Sequence, residues 1–286
     1  MIKLLSFGDC LVEGIYKVHS RFNDVVNFCS GSSFIFIVAN SIGDGPFNIV
    51  VEGASFTELE NLVIAKDHFL LNEEKIFFET SKKYDSKIKV TDFDEKKFWQ
   101  NLDHFEKTLI ENSPDKSLTF LLDENRKKNF KSSYEIEFVR RFDSALECFT
   151  SSNYLEGVKL IKGIGFGLTP SGDDFISGFL IALNVIQKLE KVDYSNLITH
   201  IYEAAKGNNA FTNAFLLAAK NGSLFDKFKN LIHSILYSGQ NEILENTRTL
   251  ISFGETSGAD QGVGFLFGIK RNFNDGNRNS EKGTIF

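Results

Sequence analysis

The pattern of apolar and polar positions predicts strands in the first third of the chain and helices in the rest. Residues 34–39 form an uninterrupted apolar and β-branched run, which is typical of a strand buried on both faces. A turn at 43–46 is followed by a second strand-like run at 47–51. Further strands are expected at 11–18, 76–78 and 88–90. Residues 1–95 are therefore predicted to form a β-rich domain.

From residue 98 onward the apolar positions recur every three or four residues, which is the period of an amphipathic helix. Helices are expected at 98–110, 134–149, 197–205, 210–219, 224–237 and 243–251. Residues 96–133 are predicted to be a connecting helix and linker, with one short strand at 118–122. Residues 134–271 are predicted to form a helical domain, and the polar residues 272–286 a tail. The fold class expected is α+β.

Composition and charge exclude several classes of protein. The chain has 286 residues, 42% of them hydrophobic and 24% charged, so it is neither disordered nor a disulfide scaffold. A net charge of −6 without a stripe of Lys and Arg argues against a nucleic-acid surface. No apolar run approaches the roughly 18 residues of a membrane span. With three Cys, no CxxC spacing and no signal-peptide pattern, we expect a cytoplasmic protein.

Glycine is concentrated in two windows, and these windows are copies of one unit. Residues 163–178 and 254–268 hold 10 of the 22 Gly. SGDDFISGFL at 171–180 and SGADQGVGFL at 257–266 share six of ten residues at an offset of 86. Each copy predicts a Gly-rich loop that leads into a helix with small residues on one face. We expect the copies to pack about a pseudo-twofold axis, which brings both helix N-termini to one polar cleft.

This unit is suited to an anion, because loop and first-turn N–H groups converge where the helix dipole favours negative charge. The N–H groups of Gly172 and Gly258 are candidates to stabilise an oxyanion. The adjacent carboxylates of Asp173 and Asp174 would repel an anion unless a cation intervenes, so Mg²⁺ held by Asp173, Asp174 or Asp260 is the candidate cofactor. The alternative is structural: Ser-Gly-x-Asp is also a good cap sequence, and paired Gly also serve helix packing alone.

The motif itself carries a resemblance to a known family. GIGFGLTPSGDD at 163–174, with TSGAD at 256–260, is similar to the AllH-like family. Weaker agreement extends to VHSRF at 18–22 and to 208–222. That family includes one subunit of the oxamate carbamoyltransferase of anaerobic allantoin degradation. The resemblance implies a multi-subunit enzyme that exchanges a carbamoyl group between oxalurate and phosphate, giving oxamate and carbamoyl phosphate.

The residues and the resemblance together give the following candidate site. The catalytic candidates are Asp173, Asp174 and Asp260, which are also the metal candidates. The substrate- or anion-binding candidates are Gly167, Thr169, Ser171, Gly172, Thr256, Ser257, Gly258, Asn209, Thr212 and His19. The partners expected are a small anion (phosphate, carbamoyl phosphate or oxamate) and other subunits of a carbamoyltransferase, with neither nucleic acid nor membrane. A non-catalytic scaffolding or small-anion-binding subunit remains the alternative. The sequence lacks the spacing of a His-based metal site, a hydrolase triad, a dinucleotide fold or a Walker motif.

Overall fold

The computed structural model describes residues 2–165 and 167–273, and it has the α+β organisation that the sequence predicts. The strands in the described chain are β1 (Lys3–Phe7), β2 (Gly14–Arg21), β3 (Val25–Ser30), β4 (Ser33–Ala39), β5 (Asn48–Glu52), β6 (Asn61–Ile64), β7 (His68–Leu71) and β8 (Glu74–Phe77). They form one sheet in the order β1-β5-β4-β3-β2-β6-β7-β8. Its neighbouring strands are antiparallel except for β4 and β5, which are parallel. The sheet curls so far that its two edges meet. The N–H of Ile2, just before β1, donates to the carboxylate of Glu74 in β8, 3.0 Å away.

Helices make up the described part of the chain beyond residue 94. They are α1 (Glu95–Asn112), α2 (Ser133–Thr150), α3 (Tyr154–Ile161), α4 (Ser171–Glu190), α5 (Ser195–Ala205), α6 (Ala210–Lys220), α7 (Asp226–Tyr237), α8 (Gln240–Ile251) and α9 (Ser257–Asn272). No described helix combines the length and the apolar character that a membrane crossing requires. The predicted tail is helical at its first residue, Asn272, and residues 274–286 lie outside the described range.

Strand β4 is buried on both faces, as its apolar run predicts, and it joins two cores. Ile35 and Ile37 point into the core inside the curled sheet. Phe34 and Phe36 point to the other face, where they pack against Phe211 and other residues of α6. Because side chains alternate along a strand, one segment serves both layers. The helical part has its own core, built around α1, α4 and α9.

Two short strands that the sequence predicts are absent from the described structure. Residues 118–122 were expected as a strand, but Leu118–Leu121 form a 3-10 helix whose Leu118 N–H donates to the Asp260 carboxylate. Residues 88–90 were also expected as a strand, but they lie outside any strand, and Ile88 is buried in the helical core. Both apolar runs are short, and contacts with helices determine their conformation. Helix α3, in contrast, was not expected.

Candidate functional site

The two copies of the repeated unit pack through glycine. A Cβ on Gly178 of α4 would lie 2.0 Å from the carbonyl oxygen of Gln261, and a Cβ on Gly264 of α9 would lie 2.0 Å from that of Phe175. The two contacts are equivalent, because Gln261 and Gly264 follow Phe175 and Gly178 by the 86-residue offset. Only glycine allows the two backbones to approach so closely. Helices α4 and α9 are therefore parallel neighbours related by a pseudo-twofold axis.

A second pair of glycines fixes the start of each helix. A Cβ on Gly172 would lie 1.8 Å from the carbonyl oxygen of Ile161, the last residue of α3. A Cβ on Gly258 would lie 1.9 Å from that of Leu250, near the end of α8. In each copy, then, the first turn of the long helix packs on the end of the helix before it. Close packing therefore accounts for the helical glycines of both copies, whereas the loop glycines Gly163, Gly165, Gly167 and Gly254 have positive φ.

The expectation that Gly172 and Gly258 supply N–H groups to an oxyanion is wrong. The Gly172 N–H donates to the Ile164 carbonyl at 2.9 Å, and the Gly258 N–H donates to the Phe253 carbonyl at 3.1 Å. A backbone N–H carries one proton, so these two groups have none left for a ligand. The glycines position the helix starts, and the polar groups left beside these starts are side chains.

Side-chain hydroxyls bring the two helix starts together. Thr169 Oγ1 lies 2.9 Å from Ser257 Oγ, which joins the loop before α4 to the first residue of α9. The same Thr169 hydroxyl donates to Asp174 Oδ2 at 3.2 Å. Neither helix start has a side-chain cap of its own, because Pro170 and Thr256 at the N-cap positions make no such bond. The hydroxyl groups therefore face the carboxylates and the cleft.

Asp174 is a buried carboxyl group whose pKa is raised well above its ordinary value. Burial is the main cause, and the negative charge of Asp260 adds to it. Hydrogen bonds from the hydroxyls of Ser257 and Thr169 act in the opposite direction. Because desolvation outweighs these bonds, Asp174 holds a proton at pH values where an exposed aspartate is ionised.

Asp260 mirrors Asp174 across the pseudo-twofold axis. Burial raises the pKa of Asp260 to about 7, while the Leu118 N–H, 2.7 Å from Oδ1, and the hydroxyls of Ser171 and Thr256 lower it. Its Oδ2 meets no hydrogen-bond partner among the described residues. In each copy the aspartate interacts with the first serine of the opposite helix: Asp174 with Ser257, and Asp260 with Ser171.

The three aspartates do not form one metal site. Asp173 is turned to its own loop, where Oδ1 accepts the Gly163 N–H at 2.8 Å. Burial raises the pKa of Asp173 to about 6, partly offset by this bond and by Lys162. Within the described ranges, no group of three or more His, Cys, Asp or Glu is arranged to hold a metal ion. The expected Mg²⁺, held by Asp173, Asp174 or Asp260, therefore finds no group of three such ligands among the described residues.

A cavity of about 730 Å³ opens where the sheet, α4, α6, α7 and α9 meet. The candidate residues in its wall are Gly167, Thr169, Ser171, Asp174, Thr256 and Ser257. The candidates outside its wall are Asp173, Gly172, Gly258, Asp260, Asn209, Thr212 and His19. Much of the remaining wall is apolar and includes the rings of several phenylalanines. Pockets of this size, largely apolar with a few converging polar groups, are typical of small-molecule sites.

Asn209 and Thr212 support the wall without entering it. The Asn209 side chain caps α6 by accepting the N–H groups of Phe211 and Thr212 at 3.0 and 3.2 Å. Its Nδ2 donates to the Leu168 carbonyl in the Gly-rich loop at 3.3 Å, so it ties α6 to that loop. Thr212 is buried, and its Oγ1 has no hydrogen-bond partner within the described residues.

His19 lies outside the cavity, on the exposed edge of the aromatic cluster between the sheet and α6. Its ring stacks on Phe211, with 5.7 Å between centroids, and meets Phe34 edge-on at 5.2 Å. Its Nδ1 is 3.0 Å from Ser20 Oγ, and this hydroxyl also accepts a bond from Asn27 of the cavity wall. His19 therefore contacts the cavity wall from outside, through the ring of Phe211 and through Ser20.

The cavity wall contains a lysine, Lys227, that the sequence did not single out. Lys227, in the first turn of α7, is half-buried in the wall, and its Nζ lies 5.9 Å from the centre of the Phe253 ring. It forms no ion pair with a described residue, whereas Lys116 in the same wall is bridged to Glu135. Lys227 is not part of any local motif, so the sequence does not indicate that it lines the cavity. Only the packing of α7 against the loop before α9 brings it to the cavity.

Two family models match the chain, and together they cover most of it. A model described as oxamate carbamoyltransferase subunit AllH matches residues 161–269. A model of the AllH family N-terminal domain matches residues 3–93. A search of the curated proteins and a search of the solved structures each found no match. The first match spans α4, α9 and the loops before them, and the second spans the sheet.

Proposed function

The chain belongs to the AllH family, and from that premise we propose that it is the subunit of an oxamate carbamoyltransferase that binds substrate at the paired starts of α4 and α9. The substrates are oxalurate with phosphate, or oxamate with carbamoyl phosphate in the reverse direction. The observation that carries the proposal is the meeting of Thr169, Ser257 and the buried Asp174 in the wall of a single cavity.

The cavity offers a partner for each end of such a substrate. The Thr169 and Ser257 hydroxyls rotate, so a carboxylate or phosphate group accepts their hydrogen bonds in place of the bonds that they make to Asp174 and to each other. Lys227 supplies the positive charge in the same wall. The carbamoyl NH₂ is a donor, and Asp174 Oδ2 and the hydroxyl oxygens are acceptors for it. Hydroxyls and a lysine therefore replace the glycine N–H groups as the anion-binding groups.

The raised pKa of Asp174 supports a role as the proton donor in carbamoyl transfer. A phosphate oxygen bonds to the carbamoyl carbon of oxalurate, and the bond from that carbon to the oxamate nitrogen breaks. The departing nitrogen must receive a proton, because an amide anion is a poor leaving group. Asp174 holds a proton since burial and Asp260 raise its pKa, and it donates this proton to the nitrogen. Asp260 is a positioning residue: it acts through Asp174 and does not line the cavity.

The surroundings support transfer to phosphate over transfer to water. Carbamoyl phosphate is reactive toward water, and the wall beside the polar groups, built by the sheet, α6 and α7, is largely apolar. Other subunits of the complex complete the enzyme, as the description of the family as a subunit implies. The pathway context would be the anaerobic degradation of allantoin.

The test is phosphate-dependent cleavage of oxalurate by the complex reconstituted with its other subunits. We expect Asp174→Asn to lower kcat by about 10²-fold or more, because the amide cannot donate a comparable proton. The matched control is Asp103→Asn, an exposed aspartate of α1, which should leave the rate unchanged. Equal rates for the wild type and Asp174→Asn would remove Asp174 from the chemistry.

A non-catalytic, anion-binding subunit remains the second candidate, because the glycines of both copies serve helix packing. Titration of phosphate, carbamoyl phosphate and oxamate into the chain separates the two. If the Thr169→Val variant loses anion binding while the complex keeps its full rate, the subunit binds without catalysing. If binding and rate fall together, the catalytic proposal is supported.

A further inference from the structure

The cavity has more apolar wall than the substrates proposed above can use. Its volume is about 730 Å³, within the range of about 300–1,000 Å³ that accommodates drug-sized ligands, and oxalurate and phosphate are much smaller. The wall includes Phe36, Phe211, Phe215, Phe225 and Phe253. Phosphate and carboxylate groups gain little free energy from contact with aromatic surface. The favourable free energy there comes from removing apolar groups from water, and these anions have few of them. The aromatic part of the cavity therefore needs an occupant of another kind.

Asn48 provides an unpaired polar atom in this part of the wall. Its side chain is only 2% exposed, and its Oδ1 has no hydrogen-bond partner within the described residues. The Nδ2 group donates to the Gly43 carbonyl at 2.9 Å, which fixes the orientation of the amide, since a flipped amide would set oxygen against oxygen. An unsatisfied buried acceptor costs about 1–3 kcal/mol. A ligand with a donor at this position would recover that free energy.

The sheet register places this acceptor beside aromatic rings. Asn48 on β5 is paired with Phe36 on β4, so the two side chains share the face of the sheet that packs on the helices. The ring of Phe36 stacks on that of Phe215, with 5.7 Å between centroids, and Phe215 stacks on Phe225 at 5.3 Å. A flat ring lying against these side chains would bring its edge to Asn48.

A carboxylate in the same wall makes the Asn48 acceptor better suited to a donor than to an anion. Asp226 lies in the same wall, and its carboxylate already accepts the backbone N–H groups of Asp44 and Lys227 at 3.1 and 2.7 Å. An acceptor oxygen repels a phosphate or carboxylate group, and the Asp226 carboxylate in the same wall adds to that repulsion. An N–H at the edge of a neutral ring matches both of them.

We propose that the cavity contains a second subsite, at Asn48 and the adjacent phenylalanines, for a neutral planar heteroaromatic ring that carries an N–H donor. This subsite goes beyond the carbamoyl-transfer proposal and does not depend on it. The ring stacks on the aromatic wall, and its N–H donates to Asn48 Oδ1. The anion site at Thr169 and Ser257 remains available at the same time.

The test compares indole with 1-methylindole, in which a methyl group replaces the N–H proton, each titrated into the full-length chain by calorimetry. We expect indole to bind about tenfold more tightly than 1-methylindole, the ratio that corresponds to one satisfied buried acceptor. Equal affinities, or no binding of either probe, would overturn the proposal. This comparison needs no substitution, so it stands even if a variant fails to fold.

Variants then locate the subsite. Asn48→Leu should bring the affinities for the two probes to within twofold of each other, while Thr169→Val, in the anion site, should leave the tenfold ratio intact. A ratio that persists in Asn48→Leu would refute the assignment to Asn48. Indole affinity should also be unchanged in saturating phosphate, and displacement of indole by phosphate would contradict a separate subsite. Failure of oxalurate cleavage would leave these results untouched, so the two proposals fail independently.

Discussion

Substitution of Gly178 by alanine tests the close approach of α4 and α9. The added Cβ would lie 2.0 Å from the Gln261 carbonyl oxygen, whereas ordinary contact begins at about 3.4 Å, so the helices must separate by about 1 Å or more. Overpacking a core costs about 1–3 kcal/mol, and the upper end applies here because a backbone carbonyl cannot rotate away. At roughly 2–4 °C per kcal/mol for a chain of this size, Tm should fall by about 6–12 °C.

The assay is thermal unfolding followed by circular dichroism, with two further variants for comparison. Gly264→Ala should lower Tm by a similar amount, because its Cβ would meet the Phe175 carbonyl oxygen at the equivalent 2.0 Å. Gly207→Ala is the matched control, since nothing lies within 4 Å of its added Cβ. If Gly178→Ala melts within about 2 °C of Gly207→Ala, the helices are not packed through glycine and the pseudo-twofold arrangement is refuted.

Three further predictions concern electrostatics and capping. The pKa of Asp260 is about 7 in the folded chain and near 3.8 in the unfolded chain. Between these pH values only the folded chain holds the proton, so the free energy of unfolding falls as the pH rises toward 7. The fall in Tm between about pH 5 and pH 8 should therefore be smaller in Asp260→Asn than in wild type, and equal slopes would contradict the raised pKa. Asn209→Ala should lower the free energy of unfolding by about 1 kcal/mol through loss of the α6 cap, measured by urea denaturation, and no change would refute that role. Lys227→Met should raise KM for the anionic substrate more than it lowers kcat. The control Lys159→Met, at an exposed lysine, should change neither constant. An unchanged KM in Lys227→Met would exclude Lys227 from substrate binding.

The parts of the fold that follow from local pattern could be predicted from sequence. The run at 34–39 is apolar at every position because β4 is buried on both faces, and burial of that kind leaves a direct mark on composition. The 86-residue repeat predicted that the starts of α4 and α9 lie together, and the contact between Thr169 and Ser257 has that geometry. Repetition is informative because each copy constrains the interpretation of the other.

The rest depends on contacts between distant residues. A motif does not show whether a backbone N–H is free to bind a ligand. The N–H groups of Gly172 and Gly258 were expected to be free, but they donate to the carbonyls of Ile164 and Phe253. Lys227 lies in the cavity only because α7 packs beside the loop that precedes α9. Tertiary structure decides such cases, and neither periodicity nor composition records it.

The central claim is that substrate binds where the starts of α4 and α9 meet. The most direct measurement is a crystal structure of the chain soaked with oxamate and phosphate. The account predicts ligand density in contact with the hydroxyls of Thr169 and Ser257 and with the carboxyl group of Asp174, with Lys227 Nζ turned toward the anion. Density for these ligands elsewhere on the chain, with the space between Thr169 and Ser257 free of ligand, would contradict it.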